Sequence, residues 1–253
     1  MKKAALLLVV LSALLLLSSQ SEARIAPLRV VFISGSAEYE SDKTLPILQN
    51  HLMGQYPCNA TMLNAKGDTD LPGLEALDKC EVVVLFTRRL KLEGAQLERI
   101  KKYCTAGRPL VGIRTASHAI QSWLDLDKEV LGGNYKGHYN VGPITEVKFT
   151  AAAKDHLILK GVTPFKSKAS LYKNTGLAKD VSVLLTGSIP EHEEPIAWTR
   201  TYKGANIFYT SLGAQTDFQD ENFLKMMSNG ILWAAGRQPR QLSTKDTKDT
   251  NKK

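Results

Sequence analysis

Arginine, histidine and serine stand together at one point of this chain. Gly112-x-Arg114-x-Ala116 has the small–x–residue–x–small form of a nucleophile elbow. Such an elbow is a strained strand-to-helix corner that lifts its central side chain above a sheet edge. The central residue here is Arg114, whose guanidinium does not deprotonate, so the corner offers a cation where a nucleophile would stand. His118 lies just beyond it, and a near-neutral imidazole pKa would let it give or take a proton. His138 sits in Leu131-Gly-Gly-Asn-Tyr-Lys-Gly-His, whose glycines allow close approach to a ligand. His118 is the first candidate for proton transfer and His138 the second, as a base or a metal ligand. Ser117 is an alternative nucleophile with either histidine as base. Its frame, Thr115-x-Ser117-x-Ala119, is a poorer elbow, and adjacent residues on a helix point in different directions. A divalent metal would need His118 and His138 joined by a carboxylate such as Glu38. The spacing does not single out a metal site, and no cofactor is expected.

Those residues must be placed by the elements around them. Leu28–Gly35, Asn59–Asn64, Glu81–Thr87 and Pro109–Ile113 are short apolar or β-branched runs that predict strands. Helices are expected between them over 43–55, 71–77 and 93–106, and after the corner over Ser117–Trp123. Pro46 should fall in a first helical turn, where proline is tolerated. Strands alternating with helices argue for a parallel sheet with right-handed crossovers, in the flavodoxin-like order 2-1-3-4. The second half differs. Strand-like stretches at 145–150, 156–159, 181–186, 195–199 and 206–210, with a hairpin turn at Tyr202-Lys-Gly-Ala, read as antiparallel additions at one edge. Phe223–Ala235 closes the unit as a helix presenting Phe223, Met227, Ile231 and Ala234 on one face. The fold class is therefore α/β, a mostly parallel flavodoxin-like sheet flanked by helices.

In an open parallel sheet, ligands bind beyond the carboxyl ends of the strands. Those ends supply Ser34, Gly35, Ser36, Glu38 and Tyr39, then Thr87, Arg88 and Arg89, then Arg114, Thr115, Ser117 and His118, and finally Ser211 to Gln215. Arginines and a histidine there form an electropositive pocket suited to a carboxylate, a phosphate or a polyhydroxylated sugar. For Arg88 and Arg89 the alternative is solvent exposure or pairing with Glu93. His51 and His156 read as surface or strand-start positions, and His192 as part of a solvated turn.

The outer segments bound the rest. Lys2 and Lys3 precede an apolar run from Ala4 to Leu17, and Ser21-Glu-Ala23 offers small residues before Arg24. That describes a secretory signal peptide over 1–23, with cleavage leaving a secreted or periplasmic chain and no membrane segment. Residues 24–237 suffice for one domain, and the polar stretch 238–253 reads as a disordered tail. Of the net charge of +8, residues 1–23 carry +1 and 238–253 carry +3, leaving a mild +4 on the domain. With no basic stripe, nucleic acid is excluded as a partner. Cys58, Cys80 and Cys104 permit one disulfide with one thiol, or three thiols. None is assigned to chemistry, and Cys104 reads as core.

Val111-Gly-Ile-Arg-Thr-Ala-Ser-His, Leu131-Gly-Gly-Asn-Tyr-Lys-Gly-His, Pro195-Ile-Ala-Trp, Phe208-Tyr-Thr-Ser-Leu-Gly and Ile231-Leu-Trp-Ala-Ala-Gly occur in that order. Together they resemble the ThuA-like (trehalose-utilisation) family over nearly all of 28–236. The resemblance implies the fold of the class I glutamine amidotransferases and a role in carbohydrate metabolism, on keto-sugars or glycosides. It also implies that no glutamine is hydrolysed, because Arg114 stands where an amidotransferase has its cysteine. Where the family commonly has Leu-Gly-His, this chain has Leu212-Gly213-Ala214, and no acidic residue directly precedes Tyr172. The expected partner is a small carbohydrate. His118 and His138 would move protons, and Arg114, Arg88, Ser117, Thr115, Gly35, Ser36, Glu38, Tyr39, Tyr172 and Gln215 would bind it. The alternative is a sugar-binding or sensing domain without chemistry.

Overall fold

A computed structural model of the chain describes residues 26–239. The expected signal peptide and all but the first two residues of the expected tail lie outside those residues. Nine strands form one sheet in the order β2-β1-β3-β4-β9-β8-β7-β5-β6. They are β1 Leu28–Gly35, β2 Cys58–Asn64, β3 Val82–Thr87, β4 Leu110–Ile113, β5 Thr145–Phe149, β6 Lys166–Ser167, β7 Ser182–Ile189, β8 His192–Tyr202 and β9 Ala205–Thr210. The helices are α1 Ser41–Gln55, α2 Gly94–Thr105 and α3 Glu221–Ala234.

The expected order 2-1-3-4 is present and β9 extends it in parallel beside β4. From β9 outward every pairing is antiparallel. The sheet is therefore mixed: the expected antiparallel additions are present, but their pairings equal the parallel ones in number, so it is not mostly parallel. The added strands are longer than their apolar cores suggest, because the β7–β8 hairpin extends to Ile189 and His192 through polar residues at its turn end.

The central strands separate two cores by simple alternation. Val30 and Phe32 of β1 face Leu45, Leu48 and Leu52 of α1 and Phe223, Met227 and Ile231 of α3. Val31 and Ile33 face Ile100, Tyr103 and Cys104 of α2. With both faces covered, β3 is buried at every position, as a continuous apolar run requires. Cys58, Cys80 and Cys104 are all unpaired thiols, so the disulfide alternative falls away.

Four local expectations are corrected. The stretch Leu157–Leu159 is a tight 3-10 turn rather than a strand, packed against α3, with the His156 ring accepting the Ile158 N–H at 3.2 Å. Residues 71–77 give only a 3-10 turn, Leu74–Asp78. The expected helix after the corner shrinks to the 3-10 turn Arg114–His118, beyond which Ile120 pairs with Leu90 instead. α1 begins at Ser41, so Pro46 lies past its first turn. His51 is also not a free surface group, since its Nδ1 lies 2.8 Å from Ser228 Oγ and joins α1 to α3.

Gly230 in α3 sets how closely that helix approaches the sheet, because a Cβ there would collide with the Phe208 ring. Alanine would gain about 1 kcal/mol of helix propensity, but overpacking a core costs about 1–3 kcal/mol. Gly230→Ala is therefore expected to lower the urea midpoint of unfolding, and an unchanged or raised midpoint would contradict this packing.

Candidate functional site

The loops after β1, β3 and β4 meet at the carboxyl edge of the sheet. Three non-glycine residues in these loops hold left-handed backbone: Glu40 at φ 47°, Arg89 at φ 50° and Arg114 at φ 45°. Each costs of order 1–3 kcal/mol, and such strain collects at functional sites. At the two arginines it is fixed by hydrogen bonds. Tyr209 Oη donates to the Arg114 carbonyl at 2.7 Å, and the Arg89 N–H donates to the His118 carbonyl at 2.8 Å.

Arg114 does not stand over the rim. The residue is 1% exposed and its guanidinium lies between two rings, 4.6 Å from Tyr39 and 4.5 Å from Tyr172. Nη1 donates to the Ser211 carbonyl at 2.6 Å and Nη2 to Ser170 Oγ at 2.9 Å. Nε has no partner among the described residues. The expectation of an exposed cation is corrected: two aromatic faces, a carbonyl and a hydroxyl replace solvent around this charge. Burial works against the charged form, but Tyr172, Tyr39 and Asp217 outweigh it and hold the pKa above the usual arginine value.

His118 is also buried, at 6% exposure, with its ring stacked on Tyr135 at 4.6 Å and 18°. Its Nδ1 lies 3.0 Å from Ser117 Oγ. The two side chains therefore meet, contrary to the expectation for neighbours on a helix. The turn stops at His118, so its ring escapes the rotamer limits of a helix interior. Burial, then the positive charges of Arg89, Arg88 and Arg114, push its pKa down to about 3. This imidazole is neutral at ordinary pH, not poised near neutrality. His138 is exposed, paired backbone to backbone with Tyr172, and its Nδ1 lies 2.7 Å from the Tyr139 carbonyl. The buried Tyr172 ring stands between the histidines, 6.2 Å from His118 and 6.5 Å from His138.

The candidate residues are distributed over three separate cavities. Ser117 and His118 line one of about 430 Å³. Arg114, His138, Tyr39 and Gln215 line a second, of about 320 Å³. Gly35, Ser36 and Arg88 line a third, of about 730 Å³. Glu38 lines both the second and the third, where it forms an ion pair with Arg88 at 2.7 Å. Arg88 thus finds Glu38 rather than Glu93. Thr115 is fully buried and its Oγ1 donates to Ser36 Oγ at 3.2 Å, while Gln215 Nε2 donates to the Glu38 carbonyl at 3.3 Å. No group of three or more His, Cys, Asp or Glu is placed to hold a metal among the described residues.

Three contributors were not singled out from the sequence. Asp127 begins a single π-turn, Asp127–Leu131, and its Oδ2 accepts the Tyr135 N–H at 2.8 Å. Its other oxygen is buried against Gly133 without a partner, and burial pushes its pKa up to about 6. Tyr135 lies inside the Gly-rich motif, and only the glycines there drew attention. Asp217 accepts from Ser167 Oγ at 2.7 Å and from the Gly213 N–H at 2.8 Å, holding the loop after β9 against the corner.

The family model described as ThuA, trehalose utilisation, matches residues 29–234. No curated protein matches the sequence. Among solved structures, a ThuA-like protein from Parabacteroides merdae superposes with a TM-score of 0.65 at 17% identity, covering 87% of this chain and 94% of that one. A ThuA-like protein from Bacteroides uniformis gives 0.65 at 15% identity, over 88% and 99% of the two chains. A β-galactosidase from Bacillus circulans gives 0.57 at 14% identity, covering 84% of this chain but 32% of that enzyme. At these identities the superpositions show a shared fold.

His118 and Asp127 predict opposite dependences on pH. His118 has a folded pKa of about 3, below its unfolded value, so its contribution is present above about pH 6.5 and is lost as pH falls towards 3. Asp127 has a folded pKa of about 6, above its unfolded value, so its contribution is lost as pH rises from about 4 through 6. His118→Asn is expected to flatten or reverse the acid slope of the urea midpoint between about pH 6.5 and 4. In the parent protein the His118 ring resonances should not shift between about pH 5 and 8. Titration of that ring near pH 6.5 would refute the buried, neutral state.

Proposed function

The chain belongs to the ThuA family, described as trehalose utilisation, and from that premise we propose that it is an exported protein that binds and transforms a sugar derivative. The substrate class is a keto-sugar or glycoside. The observation that carries this reading is the buried His118 at a cavity wall, under the Tyr135 ring and hydrogen-bonded to Ser117. A flat aromatic face suits the C–H face of a pyranose, and the surrounding hydroxyls and amides suit its oxygens.

The chemistry is proton transfer. With Nδ1 engaged by Ser117, Nε2 is the His118 position left to take a proton from the substrate, for example one on the carbon next to a keto group. His138 lines the Arg114 cavity on the far side of the buried Tyr172, so the return of the proton falls to His118 itself. Hydrolysis, elimination and isomerisation all fit that role. Glutamine hydrolysis does not, because Arg114 takes the place of the nucleophile and is itself enclosed.

A second reading is favoured by a specific observation: an imidazole with a pKa of about 3 is a weak base. On that reading the protein binds or senses a sugar without changing it. His118→Ala separates the two. For an enzyme, kcat on a 3-keto-glucoside should fall by roughly 10²–10⁴-fold while binding is retained. Sugar binding without turnover of any keto-sugar or glycoside by the parent protein would establish the second reading instead.

A further inference from the structure

Arg89, Lys128 and Lys136 line the His118 cavity, and none of them is in an ion pair among the described residues. The one side-chain partner of Arg89 is neutral, Gln121 Oε1 at 2.8 Å. Behind the cavity wall, Arg114 is a buried cation in no ion pair, which meets the Ser211 and Ser170 carbonyls, a hydroxyl and two aromatic rings, with the Asp217 charge further off. Two carboxyl groups share the cavity. Asp127 is buried, with one oxygen committed to the Tyr135 N–H and the other packed against Gly133. Asp125 is exposed. Unpaired cations therefore outnumber available carboxylates around a desolvated neutral imidazole.

We infer that the His118 cavity is built for an anionic sugar, one bearing a carboxylate or a phosphate ester, with the anionic group held by Arg89, Lys128 and Lys136 and the ring against Tyr135. The inference rests on the sugar reading above and names the class of sugar. It also accounts for the state of His118. The same arginines that disfavour a charged imidazole are offset when an oxyanion arrives, so binding itself restores the basicity of the ring. A neutral sugar leaves that repulsion in place and finds a poor base.

The test is calorimetry on the purified protein with glucuronate, glucose 6-phosphate, glucose and inorganic phosphate. Glucuronate or glucose 6-phosphate should bind at least about tenfold more tightly than glucose, with affinity falling as salt is raised. The tighter of the two identifies the anionic group as carboxylate or phosphate. The double variant Lys128→Gln/Lys136→Gln changes only exposed side chains, so its melting temperature should hold while the affinity for the anionic sugar drops about tenfold. The His118 ring should titrate at higher pH with that ligand bound than without it. Equal affinity for glucose and glucuronate, or a double variant that binds as the parent does, overturns the inference and leaves the sugar reading standing. Inorganic phosphate binding as tightly as the sugar anions also overturns it, since the cavity would then hold an anion without reading a sugar. Failure of all three sugars to bind overturns the inference, and the sugar reading then stands or falls on the keto-glucoside turnover.

Discussion

A guanidinium without a carboxylate partner sits where the two halves of the sheet meet. Arg114 reaches Ser211 after β9, Ser170 from the antiparallel half, Tyr39 after β1, and Tyr172 beside the Gly-rich loop. Removing a charge from water costs several kcal/mol, and the return here comes chiefly from fixed dipoles and two π faces, with Asp217 a lesser opposite charge that makes no direct contact. Those dipoles must stay in place for the charge to be tolerated. The corner, the loop after β9 and the two tyrosines are therefore coupled through one side chain, and the positions of the cavities follow from it.

The same charge shapes the chemistry next to it. Arg114 contributes, with burial, Arg89 and Arg88, to holding His118 neutral. Tyr135 covers that imidazole and is itself aimed by the Asp127 carboxylate through its backbone N–H. Asp127 can pack this way because residue 133 is glycine, where any side chain would collide with the carboxylate. The glycines of the motif thus serve packing among protein groups as much as approach by a ligand. The strained backbone at Arg89 and Arg114 fits this picture, since both residues are pinned by hydrogen bonds to neighbouring elements.

Much of the framework could be read from the sequence. The buried strands announce themselves as β-branched runs, and the order 2-1-3-4 follows from their spacing with helices. The carboxyl edge was legible for the same reason, and the structure does bring His118, His138, Arg114 and Tyr39 around Tyr172. What pattern could not supply was depth. An arginine at a strained corner looks exposed, because nothing local shows that rings from Tyr39 and Tyr172, far apart in sequence, will close over it. The Ser117–His118 contact was missed because it depends on a helix failing to continue past one residue. Asp127 belongs to no motif that would mark it, and only the π-turn it begins shows that it faces inward. The full length of the antiparallel strands is hidden for a related reason, since their ends towards the β7–β8 turn are polar.

The three thiols carry a consequence of their own. Cys58 and Cys104 are held by burial at pKa values of about 11 and about 12, and Cys80 is raised for the same reason. Thiolate is the species that exchanges with disulfides, so each of these sulfurs is a slow partner for an oxidant. With no crosslink contributing to its core, the folded domain has no disulfide that a reductant could open. The shielding belongs to the folded state alone, since in the unfolded chain all three are ordinary thiols open to an oxidant.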